Sequence, residues 1–165
     1  MTTQIPDAEE ALAALAERMR GAVAYEAAFV GIYSGGAWLA ERLPALVPGD
    51  HPVGFIDVSF YRDDYSTMGL KGGSRRTSLP FNVDGATIVL VDDVLYTGRS
   101  VRAAINELFD FGRPARIELA VLVDRGGREL PIEPTYCGAR LTVAQDLSIV
   151  LSRDDGRLSL GVQKS

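Results

Sequence analysis

The chain has 165 residues, 47% hydrophobic and 24% charged, which suits one globular domain with a real core and is unlike a disordered tail. Its net charge of −5 argues against binding nucleic acid through overall charge, so any such role needs a local basic patch. One cysteine (Cys137) and one histidine (His51) supply neither an internal disulfide nor a structural zinc site. With no apolar run of membrane-spanning length and no signal-peptide layout at the start, the expected compartment is the cytoplasm.

In chain order, the first element is a helix expected from Asp7 to about Val23. Ala8, Leu12, Leu15, Met19 and Val23 recur at helical spacing, and Glu10 stands three residues after Asp7 as in a capping box. "AAFVGIY" (27–33) reads as a buried strand, followed by a glycine turn and a short helix through Trp38 and Leu43. "VGFIDVSFY" (53–61) is rich in β-branched and aromatic residues and reads as a second strand. Residues 62–79 are polar, hold three glycines and follow neither period, as a long functional loop would. "ATIVLV" (86–91) is expected as a strand, Arg99 to Phe111 as a helix, "RIELAVLV" (116–123) as a strand, and the end as a hairpin turning at Asp155-Gly156. His51 lies in a proline-flanked loop, and Trp38, Phe60 and Phe81 read as core residues.

Strands alternate with helices, and the central strands are continuously apolar. This predicts an α/β fold over residues 1–165 as a single domain: a mainly parallel twisted sheet flanked by helices, with a long loop and a small antiparallel appendage. Ligands in such sheets bind beyond the carboxyl ends of the strands. Three ends carry suggestive residues: Tyr33-Ser34-Gly35-Gly36, Asp92-Asp93 and Asp124-Arg125-Gly126.

The stretch "IVLVDDVLYTGRSV" (88–101) is the most informative. Thr97, Gly98, Arg99 and Ser100 stand where strand gives way to helix, so unpaired backbone N–H groups and two hydroxyls converge on a space of phosphate size. Asp92 and Asp93 would repel that phosphate if they pointed into the loop, but suit a hydroxyl-rich ligand or a metal ion. A ribose 5-phosphate meets both demands. No P-loop motif is present. "YSGG" (33–36) lacks the glycine that a nucleophile elbow needs two residues before its serine.

The same stretch resembles the phosphoribosyl-pyrophosphate (PRPP) signature of type I phosphoribosyltransferases. With "VSFYRDDYS" and the run from Thr77 to Ile132, including "RIELAVLVDRGGRELPI", it resembles the bifunctional pyrimidine operon regulators with uracil phosphoribosyltransferase activity. The resemblance implies that Asp92 and Asp93 hold the ribose hydroxyls, meeting Mg²⁺ only through PRPP or water. It implies further that Thr97, Gly98, Arg99 and Ser100 hold the 5-phosphate, and that Val94, Leu95 and Tyr96 complete the nucleotide site. Uracil would displace pyrophosphate from the anomeric carbon, giving UMP. The loop 62–79 would act as a flap carrying Lys71, Arg75 and Arg76 to the pyrophosphate, so Asp93, Arg76 and Lys71 are the catalytic candidates. Asp124 and Arg125 would lie near the base, although Arg125 reads equally as a surface charge.

In the family the loop after the first strand usually carries two arginines that touch pyrophosphate. Tyr33 and Gly35 stand in their place, leaving Ser34, Gly35 and Gly36 as a pyrophosphate loop of main-chain amides. Each lost contact to a charged group is worth roughly 1.5–3 kcal/mol, so weaker PRPP binding is expected. The resemblance also implies UMP or UTP as effectors, pyr leader RNA as a partner and a homodimer or higher oligomer. Arg18 and Arg20 are the basic candidates on the first helix, and read more readily as its solvated face. A nucleotide sensor with little catalysis, or a transferase for another base such as a purine, remains open.

Overall fold

The computed structural model describes residues 4–59 and 76–165. Its centre is a five-stranded sheet in the order β2-β1-β3-β4-β5, formed by β1 (Ala28–Ile32), β2 (Val53–Ile56), β3 (Thr87–Leu95), β4 (Arg116–Asp124) and β5 (Tyr136–Arg140). Every neighbouring pair runs parallel. The reason is legible in β3. Val89 and Val91 point to one face while Ile88 and Leu90 point to the other, and all four are fully buried. A strand apolar on both faces must be covered on both, and parallel crossovers place helices there.

One face receives α1 (Ala8–Met19) and α2 (Gly35–Arg42), which bury Leu12, Leu15, Met19 and Leu39 against Phe29, Val89, Val91 and Leu122. The other receives α3 (Arg99–Phe111), whose Val101, Ala104 and Leu108 pack on Val30, Ile32, Leu90 and Val121. Asp7 caps α1 by accepting from the Glu10 backbone N–H at 3.0 Å. The hairpin of β6 (Leu147–Asp154) and β7 (Arg157–Lys164) turns at Asp155 and Gly156, both with positive φ, and buries Ile149, Leu151 and Leu158 on the α1–α2 side. Glu9 ties it down: its carboxylate takes both Arg42 Nη groups (2.8 and 3.1 Å) and the Leu158 backbone N–H (2.9 Å). No helix among the described residues is long and apolar enough to cross a membrane.

Several boundaries differ from expectation. The first helix stops at Met19, and the chain then turns through Gly21 at φ +75°, so Val23 packs on the core from outside the helix. The second strand ends at Ile56, because Asp57 turns its carboxylate back onto Ser59. Gly35 and Gly36 do not form a turn ahead of α2 but are its first residues, and a 3-10 turn, Leu43–Ala45, extends its end. The third strand runs on through Asp92 and Asp93 to Leu95, so the two acids lie within the strand, with Asp92 paired to Val121 of β4. The short strand β5 was not foreseen. It forms because Gly138 admits close contact, with Ala11 O and Leu122 O 2.6 and 2.7 Å from where a Cβ would stand.

Candidate active site

The carboxyl ends of β1, β3 and β4 bring the suspected residues to one edge of the sheet. β1 ends at Ile32, the Tyr33–Ser34 peptide is cis, and Ser34 is the N-cap residue of α2. The turn is tight because it is built of glycine. A Cβ on Gly31 would stand 2.5 Å from Gly36 O, one on Gly36 would strike Val91 O, and one on Gly35 would strike the Asp93 carboxylate. The Ser34–Gly36 backbone is thus pressed directly onto the acid pair of β3.

One oxygen of each of those acids accepts from the backbone of the next residue. Asp92 Oδ1 accepts from the Asp93 N–H at 2.9 Å, and Asp93 Oδ1 accepts from the Val94 N–H at 2.8 Å. Asp92 is buried and Asp93 half-buried. Carboxylate oxygens held in this way fit Mg²⁺, a hard ion that prefers oxygen donors and keeps several waters.

Beyond the acids the chain passes Tyr96 and Thr97 to Gly98, whose φ of +95° aims it into α3. Thr97 O is fixed by the N–H groups of Glu129 and Leu130 (2.9 and 3.1 Å), and Thr97 Oγ1 accepts from the Arg99 N–H at 3.2 Å. A Cβ on Gly98 would stand 3.0 Å from Ile132 Cγ1, a tight contact added to a backbone conformation that favours glycine. Arg99 and Ser100 are exposed in the first turn of α3, where orphan N–H groups and the helix dipole favour an anion. Val94 is half-buried, whereas Leu95 turns its side chain into the core at 1% exposure, so only its main chain faces the ligand edge.

At the end of β4, Asp124 and Arg125 are both packed inside the fold. Asp124 is 3% exposed and held by three arginine contacts: Arg128 bidentate (2.9 and 2.7 Å) and Arg140 (2.7 Å). Burial pushes its pKa up, but the Arg128 hydrogen bond, the Gly126 N–H and the charges of Arg128 and Arg140 outweigh this and hold it below the ordinary value. Arg125 is not a surface charge. It is buried, lies over the Tyr96 ring at 3.9 Å, and donates to Leu147 O (2.7 Å) and Ala144 O (3.2 Å). Both residues of this pair thus brace the loop after β4, and Arg125 joins it to the segment leading into the hairpin.

Of the three cations placed on the flap, Lys71 and Arg75 lie outside the described residues, as does Phe60. Arg76 lies over Tyr33 and reaches Asp57, a buried carboxylate at the end of β2 that sequence reasoning passed over. Its only advance signal was an acid following an apolar strand. Burial raises the Asp57 pKa, but the Ser59 hydroxyl and N–H and the Arg76 guanidinium outweigh it and hold the carboxyl below its usual value. His51 is structural: it stacks on Phe29 at 4.2 Å, and its ring nitrogens meet Ala27 O and Pro48 O. Trp38 and Phe81 are half-buried against the two cores. Arg20 caps the first helix and reaches Leu46 O and Glu17.

A strand carrying an acid pair, a glycine-cornered loop opening a helix, and a second glycine loop pressed onto the acids define a phosphoribosyltransferase. The family described as "Phosphoribosyl transferase domain" matches residues 1–141. The fold is shared with solved structures: a hypoxanthine-guanine phosphoribosyltransferase from Bacillus anthracis (TM-score 0.67, 16% identity, 97% of this chain and 100% of that one) and the hypoxanthine phosphoribosyltransferase of Trypanosoma cruzi (0.64, 18%, 93% of each). Among curated relatives, the "Bifunctional protein PyrR" of Ralstonia nicotianae is 52% identical over 158 residues, covering 93% of this chain and 90% of that protein. That of Pseudomonas aeruginosa is 45% identical over 151 residues, 89% of each. The chain belongs to the phosphoribosyl transferase family and, within it, to the bifunctional PyrR proteins.

Proposed function

We propose that the protein transfers the 5-phosphoribosyl group of PRPP to uracil, giving UMP and pyrophosphate, and that the same pocket reads uridine nucleotides in regulating pyrimidine synthesis. The observation that carries this reading is the contact of the Gly35 backbone with the Asp93 carboxylate, which joins the pyrophosphate loop to the ribose-binding acids. Asp92 and Asp93 accept from the ribose hydroxyls, the exposed N-terminus of α3 with Thr97, Gly98, Arg99 and Ser100 takes the 5-phosphate, and Ser34, Gly35 and Gly36 present main-chain amides to the pyrophosphate. Asp92 and Asp93 would hold Mg²⁺ through water or through PRPP, and the ion would there supply charge neutralisation for the departing pyrophosphate.

In the reaction the bond from the anomeric carbon to pyrophosphate breaks and a bond to a uracil nitrogen forms, whose proton is lost. Charge develops as in an oxocarbenium ion, so alignment and electrostatics dominate over nucleophilic catalysis. Asp93 steadies the sugar as positive charge grows, and Arg76 and Lys71 are the cations for the leaving group. Tyr96 stands between the phosphate loop and Arg125, and with Asp124 and Arg125 shapes the side on which the base enters. The relatives' shared name supports the regulatory role, with pyr leader RNA as the partner, a homo-oligomer as the working form and the cytoplasm as the setting.

Incubation with PRPP, Mg²⁺ and a panel of bases should release pyrophosphate with uracil and form UMP, and Asp93→Asn should depress the yield. Release with a purine alone would replace uracil as the substrate, and no release with any base at high protein concentration would remove the enzymatic reading. Leader RNA titrated with and without UMP should show a nucleotide-dependent affinity. Equal affinity for unrelated RNA would discard specific regulation.

A further inference from the structure

We infer that Arg76, seated on Tyr33 and oriented by Asp57, supplies to the β1–α2 loop the guanidinium that residues 33 and 35 lack; this deepens the phosphoribosyltransferase reading and rests on it. The arrangement is built rather than incidental. The Arg76 guanidinium carbon lies 4.1 Å from the centre of the Tyr33 ring, and its Nε is 3.3 Å from Asp57 Oδ2. Tyr33 is itself fixed: its N–H donates to Ile56 O at 3.0 Å, and its ring tilts against Phe55 with centroids 5.6 Å apart.

Asp57 is fixed more firmly. Its side chain is only 5% exposed, and its Oδ1 accepts from the Ser59 N–H (3.0 Å) and hydroxyl (2.7 Å). Its own N–H donates to Thr77 Oγ1 (3.1 Å), and that hydroxyl donates to the buried Glu107 (3.2 Å). The carboxylate therefore cannot follow the arginine about; the arginine must come to it. Among the described residues the hydrogen bond of Arg76 to protein is made through Nε, and the side chain is 55% exposed. A guanidinium held by Nε and by its face can turn its outer edge to a bidentate oxyanion.

The anion this position favours is the one due at Ser34-Gly35-Gly36: a pyrophosphate, free or as part of PRPP. Residue 33 no longer sends a cation into the site. It offers an aromatic face on which a cation from another segment rests. Asp57 and Tyr33 are positioning residues, and Arg76 is the group that touches the ligand. An ordinary ion pair would predict something else, since an arginine half in water adds little to stability and nothing to ligand affinity.

The test is calorimetric titration with magnesium pyrophosphate, which reads binding whether or not UMP is made, alongside steady-state kinetics. Arg76→Ala should weaken pyrophosphate about ten- to hundredfold, the ratio expected for roughly 1.5–3 kcal/mol of charged hydrogen bonding, and raise KM for PRPP more than it lowers kcat. Asp57→Asn should weaken it by a smaller factor. Adding Tyr33→Arg to Arg76→Ala should restore most of the affinity, because it returns a guanidinium to the same place by another route. Wild-type pyrophosphate affinity in Arg76→Ala, no recovery in the double variant, or no pyrophosphate binding by the wild type would each overturn the inference. Pyrophosphate binding through Arg76 without UMP formation would uphold it while removing the enzymatic reading.

Discussion

The backbone of Gly35 lies against the side chain of Asp93, so that a Cβ at residue 35 would overlap Asp93 Oδ2 and stand 2.8 Å from its Cγ. The strand that bears the acids and the turn that opens α2 are thus in direct contact, although residues 35 and 93 stand far apart in the sequence.

Gly35→Ala should disturb both halves together. The methyl must displace either the carboxylate or the β1–α2 turn, at about 1–3 kcal/mol of stability. A displacement of even ~1 Å at Asp93, the acid proposed to hold the ribose, should lower kcat/KM for PRPP about 100-fold. Denaturant titration together with initial rates checks this, and an active, fully stable variant would refute the contact.

Asp124→Ala should be among the more destabilising single changes in the protein. It leaves Arg128, half-buried, without its bidentate partner and strips Arg140 of its only ion pair among the described residues. Breaking a buried pair from one side costs about 3–5 kcal/mol, with the lower end expected here because Arg140 is largely exposed. Urea unfolding measures it.

Acid should loosen the hairpin before the sheet. The hydrogen bond from Arg42 and the Leu158 N–H hold the Glu9 carboxyl at about 2, against an ordinary 4.5. Because the folded value is depressed, the stabilisation is present above pH 4.5 and is lost as pH falls through 4.5 toward 2. The full shift corresponds to roughly 3 kcal/mol, and solvent screening at a partly exposed pair leaves a fraction of that. Hydrogen-exchange protection factors at residues 147–164, corrected for the intrinsic pH dependence of exchange, should fall across that range in the wild type and already be low at neutral pH in Glu9→Ala.

One tyrosine should resist alkali. Burial and the hydrogen bond from its hydroxyl to Glu118 (3.0 Å) push Tyr136 up to about 12. Its neutral form is favoured in the folded protein, so the associated stability is whole below pH 10 and is lost as pH rises through 12. An ultraviolet titration should show a late tyrosinate component that disappears in Tyr136→Phe.

What the sequence determined was whatever short-range physics decides. The period of apolar residues located α1 and α3, the Asp7 side chain marked a helix start, Asp155-Gly156 marked a two-residue turn, and continuously apolar β3 and β4 required a sheet covered on both faces. The acid pair and the Thr97–Ser100 loop were readable for the same reason, since strand, turn and helix start lie within a dozen residues. Tertiary structure alone decided the partners of charges. Arg125 could read as a surface charge, and the pairing of Asp124 went unread, because sequence carries no record of Arg140, sixteen residues on, or of the carbonyls at 144 and 147. It decided equally that Arg76 meets Tyr33 and Asp57, and that Gly138 lets a half-polar segment serve as the edge strand. Electrostatic pairing and close backbone approach depend on distance in space, and local pattern does not encode which distant segment will arrive.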